Sequence, residues 1–291
     1  MARDTLTLRG TAFAWGSRTY LMGILNLTPD SFRGDGLLAE PLVDPLPAIV
    51  AQARRMADEG ADLLDLGGES TRPGHLPVGE AEELARVLPA MRAVRAALPW
   101  MPLSIDTTKV VVARAALDEG ADLINDIWAV GPAGEPLARL AAERGVPLIV
   151  MHNRREPRYA DVVAEVVADL RAALARATAL GVPAAHLIVD PGIGFGKTPG
   201  QNLRLLRELA ALRALGRPIL LGTSRKSTIG RVLDLPAEER LEGTLATTAL
   251  GIAAGVDIVR VHDVRANLRA ARMADAIVRG SALEHEDPVH P

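Results

Sequence analysis

Eight short apolar runs are spread along the chain, and nearly every one ends in a cluster of polar residues. They cover residues 20–25, 62–66, 101–105, 122–124, 147–151, 186–189, 218–222 and 256–259. Segments with helical spacing separate these runs, so strands and helices are predicted to alternate. In a (β/α)8 barrel all eight strands end at one face, and that face carries the active site. The sequence therefore predicts an α/β fold, a TIM barrel, with an enzyme site beyond the strand ends.

The length of 291 residues suits one barrel, since about 250 residues is typical of that fold. Residues 1–19 form a predicted β-hairpin cap at the bottom of the barrel, because apolar and polar residues alternate around two glycines. The barrel itself is assigned to residues 20–280, and a polar tail to residues 281–291. Glycines recur where helices end, and they are predicted to take the left-handed cap conformation. They are Gly60, Gly120, Gly145, Gly181, Gly216 and Gly255.

Composition narrows the classes of function. A net charge of −3 gives no sign of a nucleic-acid binder, whose domain is usually basic. The absence of cysteine excludes disulfides, zinc-thiolate sites and thiol nucleophiles. Neither a signal-peptide layout nor a long apolar span is found, so we expect a cytoplasmic protein without a membrane partner. Of the 33 basic residues only Lys109, Lys197 and Lys226 are lysine, which suggests particular roles for these three.

Three polar residues follow strands three, four and six of the predicted barrel: Asp106, Asn125 and Asp190. Any one of them could be a helix cap or a turn residue. Together they would offer several acceptors and an amide to a planar, amidine-like heterocycle in the barrel mouth. Lys226, after strand seven, could reach a ring carbonyl or nitrogen of the same ligand.

A second group of polar residues comes from strands one, two and eight: Asn26, Arg72, Arg260 and His262. Arginine binds phosphate through two parallel hydrogen bonds, and barrels commonly bind phosphate near strands seven and eight. These residues therefore predict a phosphorylated substrate, although His262 alone could be a histidine that only bonds its neighbours. Asn26 offers an oxygen suited to Mg²⁺, which takes few protein ligands beside substrate phosphates.

The segment from Asp190 to Thr198 is a glycine-rich turn that contains Gly-Lys-Thr, yet it is not a P-loop. The P-loop needs four residues between its first glycine and the Gly-Lys pair, and Gly192 lies too close to Gly196. We expect these glycines to let the backbone approach a flat ligand, with Phe195 available to stack on it.

The ordered motifs of this chain resemble the dihydropteroate synthase family, the folate-pathway enzymes that sulfonamides target. The resemblance spans residues 22–263, so the set is specific although each motif alone is weak. The matching stretches are 22–32 (MGILNLTPDSF), 65–74 (DLGGESTRPG), 104–107 (SIDT), 124–126 (IND), 151–152 (MH), 190–198 (DPGIGFGKT), 224–227 (SRKS) and 260–263 (RVHD).

The resemblance implies condensation of 6-hydroxymethyl-7,8-dihydropterin pyrophosphate with p-aminobenzoate, giving 7,8-dihydropteroate and pyrophosphate. It implies catalytic roles for Asp106, Asp190, Lys226 and Arg260. It implies three binding groups as well. The pterin group is Asp106, Asn125, Ile127, Met151, Asp190, Phe195, Gly222 and Lys226; the pyrophosphate group is Asn26, Arg72, Arg260 and His262, with Mg²⁺ on Asn26; and the p-aminobenzoate group is Phe32, Thr71, Pro73 and Ser227. Long connections after strands one and two would close over the site, and a homodimer through outer helices is expected.

The chain departs from the family pattern in several places, and the departures near residue 35 leave alternatives open. The first long connection reads Arg33-Gly34-Asp35-Gly36 rather than the usual Ser-Asp-Gly-Gly, and Gln201 stands where histidine is common. A pterin-binding paralogue without catalysis would tolerate such changes. A methyltransferase of the methyltetrahydrofolate-to-corrinoid type would use a similar pterin cradle, but it has no need of Arg72 and Arg260.

Overall fold

The structure is a computed structural model, and it describes residues 5–27, 44–69 and 78–280. An antiparallel pair precedes the barrel strands. In chain order the strands are β1 (Thr5–Leu8), β2 (Thr11–Ala14), β3 (Tyr20–Asn26), β4 (Leu63–Gly67), β5 (Leu103–Asp106), β6 (Leu123–Asp126), β7 (Leu148–Met151), β8 (Leu187–Asp190), β9 (Leu220–Leu221) and β10 (Ile258–Val261).

Strands β3 to β10 form a parallel sheet in the order β8-β7-β6-β5-β4-β3-β10-β9. One further parallel bridge, between Val189 and Ile219, connects the two outer strands and nearly closes the sheet into a barrel. The predicted TIM barrel is therefore confirmed, with strands at the positions of the eight apolar runs.

Strand β9 is shorter than the predicted run 218–222. Pro218 has no N–H to donate, and the N–H of Ile219 donates to Asp257 Oδ2 at 3.0 Å. The Pro218 carbonyl still accepts from the N–H of Val189 at 2.9 Å. A side chain thus replaces part of the strand ladder where the barrel closes.

Helices lie between the barrel strands, on the outside. Within the described ranges they are α1 (Leu46–Asp58), α2 (Glu80–Ala97), α3 (Val110–Asp118), α4 (Glu135–Arg144), α5 (Val162–Ala179), α6 (Pro199–Arg207), α7 (Ser227–Leu233), α8 (Leu241–Ala253) and α9 (Val264–Arg279). All six junction glycines have positive φ, between 64° and 101°, which confirms the predicted caps. None of these helices is long and apolar enough to cross a membrane.

The N-terminal hairpin of β1 and β2 closes the N-terminal end of the barrel. Phe13 packs against Trp15 and Tyr20, with ring centroids 5.6 and 4.8 Å away. These rings join an apolar cluster with side chains from the barrel interior, such as Met22 and Leu63. The predicted cap is confirmed, and it fills the N-terminal end of the barrel.

Candidate functional site

The barrel interior changes from apolar to polar along the strands. Successive side chains of a strand point to opposite faces, so residues two apart share a face. The apolar members of three such pairs belong to the interior cluster beside the hairpin. These pairs are Leu123 and Asn125 in β6, Ile188 and Asp190 in β8, and Ile258 and Arg260 in β10. A polar layer therefore lies directly above the apolar one, as the strand-end positions predicted.

Arg260 links two carboxylates in this polar layer. Its Nε donates to Asp65 Oδ2 at 2.6 Å, and its Nη2 donates to Asp106 Oδ2 at 2.9 Å. Asn125 Nδ2 donates to the same Asp65 oxygen at 3.1 Å. Side chains from β4, β5, β6 and β10 thus meet in one hydrogen-bonded group.

Asp65 is a site residue that the sequence analysis did not single out. It lies inside the second apolar run rather than at its end, and its side chain is fully buried. A charged residue in the middle of a buried strand was the available signal, because such a residue requires a partner.

The electrostatics of this group differ from those of exposed side chains. Burial, assisted by the charge of Asp65, raises the pKa of Asp106 to about 7, although Arg260 opposes the shift. Burial disfavours the charged guanidinium, yet Asp65 and Asp106 together raise the pKa of Arg260. Arg260 therefore stays charged while Asp106 titrates near neutral pH.

Gly222 marks the point where three charged side chains approach each other. A Cβ placed on Gly222 would lie 3.9 Å from Asp190 Oδ2, from Lys226 Nζ and from Arg260 Cβ. The predicted pterin residues Asp190, Gly222 and Lys226 are therefore brought together, beside the arginine.

Lys226 is held by the glycine-rich turn after β8. Its ammonium donates to the carbonyl of Ile193 and lies 4.5 Å from the ring centroid of Phe195. Burial lowers the pKa of Lys226 to about 8, although Asp190 opposes the shift. Burial likewise raises the pKa of Asp190, while Lys226 opposes that change. The lysine and the aspartate therefore interact electrostatically, and both lie close to Gly222.

Two glycines of this turn, Gly192 and Gly196, approach the chain's own backbone, whereas Gly194 lies against the Lys226 side chain. A Cβ on Gly192 would overlap the carbonyl oxygen of His152, and one on Gly196 would overlap that of Arg154. Both glycines also have positive φ, 66° and 53°. The turn is therefore packed tightly on the segment that follows β7.

Lys197 stabilises this turn through hydrogen bonds to its backbone carbonyls. Its ammonium donates to the carbonyls of Gly192 and Phe195, both at 3.0 Å, and lies 3.0 Å from His152 Nδ1. Burial and the nearby ammonium lower the pKa of His152 to about 4, so the imidazole is neutral. Its Nδ1 accepts from Lys197 and its Nε2 then donates to Asp169 at 3.1 Å.

The described members of the predicted pyrophosphate group lie at neighbouring strand ends. His262 Nδ1 is 2.9 Å from Ser224 Oγ, which also accepts from the backbone N–H of His262 at 3.2 Å. Asn26 ends β3, which pairs with β10 on one side and with β4 on the other. Arg260 and His262 thus come from β10 and the residue just past it, and Asn26 from the end of the adjacent strand β3.

The remaining site predictions divide into those that the structure describes and those that it does not. Met151 and Ile127 are buried, at the ends of β7 and β6. Ser227 is exposed at the start of α7, beside Lys226. Phe32, Asp35, Thr71, Arg72 and Pro73 lie outside the described residues, as do most of both long connections.

The polar layer has a definite chemical character. Asp106, Asp190 and Asn125 supply mainly acceptors, while Lys226 and Arg260 supply charged donors. A flat ring with an amidine edge presents N–H donors to carboxylates and a carbonyl to an ammonium. The arrangement suits such a ring, with an anionic substituent directed towards Arg260.

Comparisons with known proteins agree with this chemistry. Residues 22–262 match the family described as "Pterin binding enzyme". The chain is 48% identical to the dihydropteroate synthase of Clostridium beijerinckii over 92% of its own length and 97% of that relative.

Two solved structures have similar folds. Dihydropteroate synthase from Clostridium difficile, studied in the presence of pteroic acid, has a TM-score of 0.86 and 46% identity, covering 92% of this chain and 99% of that one. The Thermus thermophilus enzyme in complex with 4-aminobenzoate has a TM-score of 0.81 and 42% identity, covering 94% and 100%. The chain therefore belongs to the dihydropteroate synthase family of pterin-binding enzymes.

Proposed function

We propose that this chain condenses 6-hydroxymethyl-7,8-dihydropterin pyrophosphate with p-aminobenzoate, producing 7,8-dihydropteroate and pyrophosphate. The observation that carries the proposal is the meeting of Asp190, Lys226 and Arg260 around Gly222, where an added Cβ would lie 3.9 Å from an atom of each. A pterin ring that reached the first two residues would direct its exocyclic carbon towards the arginine side of the barrel mouth.

Bond breaking separates charge, and the buried groups are arranged for this separation. As the bond from the exocyclic carbon to the pyrophosphate oxygen breaks, its electron pair leaves with the pyrophosphate and positive charge spreads into the electron-rich ring. The carboxylates of Asp106 and Asp190 stabilise that positive charge because they are fixed before the reaction begins. Arg260 stabilises the departing anion, with help from His262 and, as an expectation, Arg72.

The rim also suits a magnesium ion that arrives with the pyrophosphate. Asn26 ends β3 at this rim, and its side-chain oxygen is a suitable ligand for Mg²⁺. In the described part of the chain no three His, Asp or Glu side chains form a metal site. Mg²⁺ takes most of its ligands from phosphates and water, so it needs few protein oxygens beside the pyrophosphate. When bound, it would neutralise charge on the leaving pyrophosphate.

The second half of the reaction forms the carbon–nitrogen bond. The amino nitrogen of p-aminobenzoate donates its lone pair to the exocyclic carbon, and the proton that it loses leaves the site with the pyrophosphate. Exclusion of water protects the cationic carbon from hydrolysis. Phe32, Thr71, Pro73 and Ser227 remain the predicted surroundings of the p-aminobenzoate.

The direct test mixes the purified protein with Mg²⁺, pterin pyrophosphate and radiolabelled p-aminobenzoate. Labelled dihydropteroate is expected, and its amount should match the pyrophosphate released. Tight pterin binding without product would instead support a pterin-binding paralogue without catalysis. Release of pyrophosphate without labelled product would show that the site hydrolyses its substrate.

A homodimer is proposed from the outer surface of α8 and α9, which pack against each other. Leu250 and Ile277 are each 71% exposed, and Met273 is 63% exposed. Large exposed apolar side chains on two helices that pack together favour burial against a second copy. Light scattering should give twice the chain mass, and Leu250→Arg with Ile277→Arg should halve it. Trp100→Arg, which changes an exposed apolar residue elsewhere, should leave the mass unchanged.

We further propose that the enzyme works in the cytoplasm, on small molecules alone. A pyrophosphate ester carries several charges and does not cross a bilayer, so the enzyme must share a compartment with its supply. The net charge of −3 argues against a nucleic-acid partner. Cell fractionation with an activity assay tests the location, and a gel-shift assay tests the partner.

A further inference from the structure

Asp65 is fully buried in the polar layer, and the proposed mechanism gives it no contact with substrate. Its Oδ2 accepts from Arg260 Nε at 2.6 Å and from Asn125 Nδ2 at 3.1 Å. Its Oδ1 is also buried, and it has no hydrogen-bond partner among the described residues. A buried carboxylate thus contacts Asn125 and Arg260, two residues that the proposed function uses.

The bond to Asp65 determines which way the amide of Asn125 faces. The NH₂ group of Asn125 is the end that contacts this carboxylate, because its Nδ2 donates to Asp65 Oδ2. The amide oxygen then remains available on the other side. Asn125 is thereby presented as an acceptor, which suits a ring that offers N–H groups.

The same carboxylate fixes the guanidinium of Arg260. Nε is bound to Asp65 and Nη2 to Asp106, on the neighbouring strands β4 and β5. Two contacts along a planar guanidinium define its plane as well as its position. No described residue bonds to Nη1, so one donor of the arginine remains available for an anion.

We propose that Asp65 is a positioning residue of this active site, which orients Asn125 as an acceptor and holds Arg260 against Asp106. This inference rests on the proposed function, because both residues act there on the pterin pyrophosphate. Asp65 touches neither substrate and acts through its two neighbours.

Asp65 also has an electrostatic effect that a purely structural residue would not have. Next to burial, its charge is the main factor that raises the pKa of Asp106 to about 7. The other charged groups that act on Asp106 are Arg260, which lowers the pKa, and Glu83 and Asp126, which raise it. Removal of the charge at residue 65 should therefore lower the pKa of Asp106.

The experiment compares Asp65→Asn with the wild-type chain in the labelled p-aminobenzoate assay between pH 5.5 and 9. We expect kcat/KM to fall by up to about 100-fold, because a displacement of about 1 Å in a reacting group can have an effect of that size. The acidic limb of the pH profile should move to lower pH. Ser104→Ala is the matched control, because Ser104 pairs in register with Asp65 and its buried hydroxyl has no partner among the described residues. Its activity and profile should equal those of the wild type.

A second variant keeps the proposal testable if Asp65→Asn does not fold. Asp65→Glu preserves the charge but moves the carboxylate by one methylene, so it should retain the acidic limb and lose turnover. Wild-type kcat/KM in either variant, with circular dichroism showing a folded chain, would overturn the inference. A wild-type chain that forms no dihydropteroate would refute the proposed function instead, so the two failures are distinguishable.

Discussion

Substitution of Gly222 by alanine should separate ligand binding from stability. A Cβ at Gly222 would meet three atoms at 3.9 Å, which is ordinary contact, and the backbone is not in the left-handed region. Glycine-to-alanine changes at compatible positions stabilise a fold by about 0.4–1 kcal/mol, because the unfolded chain loses freedom. The free energy of unfolding should therefore be unchanged or slightly raised.

The effect on pterin binding should be large. A ring that bonds both Asp190 and Lys226 must pass over Gly222, at a normal contact distance of about 3.5–4.0 Å from its Cα. A methyl group extends about 1.5 Å from that atom and would force the ring outwards by roughly 1 Å or more. Displacement on this scale costs about 10²-fold in rate, or about 2.7 kcal/mol of transition-state stabilisation.

Calorimetric titration with 6-hydroxymethylpterin measures pterin affinity, and the labelled-product assay measures the reaction rate. Thermal unfolding measures stability. Gly200→Ala is the matched control, because Gly200 is exposed and no atom lies within 4 Å of its added Cβ. A Gly222→Ala chain that binds pterin as tightly as the wild type would refute the placement of the ring over Gly222.

Four further outcomes are expected. Asp190→Asn should weaken pterin binding in calorimetry by at least 10-fold, because a charged hydrogen bond of about 1.5–3 kcal/mol is lost. Arg260→Ala should mainly weaken inhibition by added pyrophosphate. Swapped phenotypes would contradict the assignment of Asp190 to the pterin and of Arg260 to the pyrophosphate. Activity should decline as pH rises through about 8, because Lys226 loses its proton there; a profile flat to pH 10 would contradict this role. Gly192→Ala should lower the melting temperature by several degrees, since its Cβ would overlap the carbonyl of His152. EDTA should abolish product formation until Mg²⁺ is restored. Activity in a metal-free buffer would contradict a role for Mg²⁺ in the reaction.

The ends of the strands could be predicted from the sequence because their pattern is local. Asp106, Asn125, Asp190 and Arg260 follow apolar runs directly, and parallel strands bring such positions to one rim. The six junction glycines were predictable for the same reason, since a helix end and its cap are neighbours in the chain.

Other features depend on contacts between distant segments. Asp65 was missed because its partners, Asn125 and Arg260, are 60 and 195 residues away along the chain. The glycines of the turn after β8 were assigned to ligand contact, yet Gly192 packs against the backbone of His152, which belongs to another loop. A run of apolar residues predicts a strand, but it does not show which distant side chain meets a polar residue within it.

The aromatic hairpin at the N-terminal end of the barrel affects the side from which substrates enter and products leave. Phe13, Trp15 and Tyr20 fill that end, so the barrel has its opening at the opposite rim. Among the described residues these rings close one end, so we expect both substrates to reach the polar layer from the other end. Departure of the pyrophosphate and arrival of the amine are then expected to take place on the same side of the barrel.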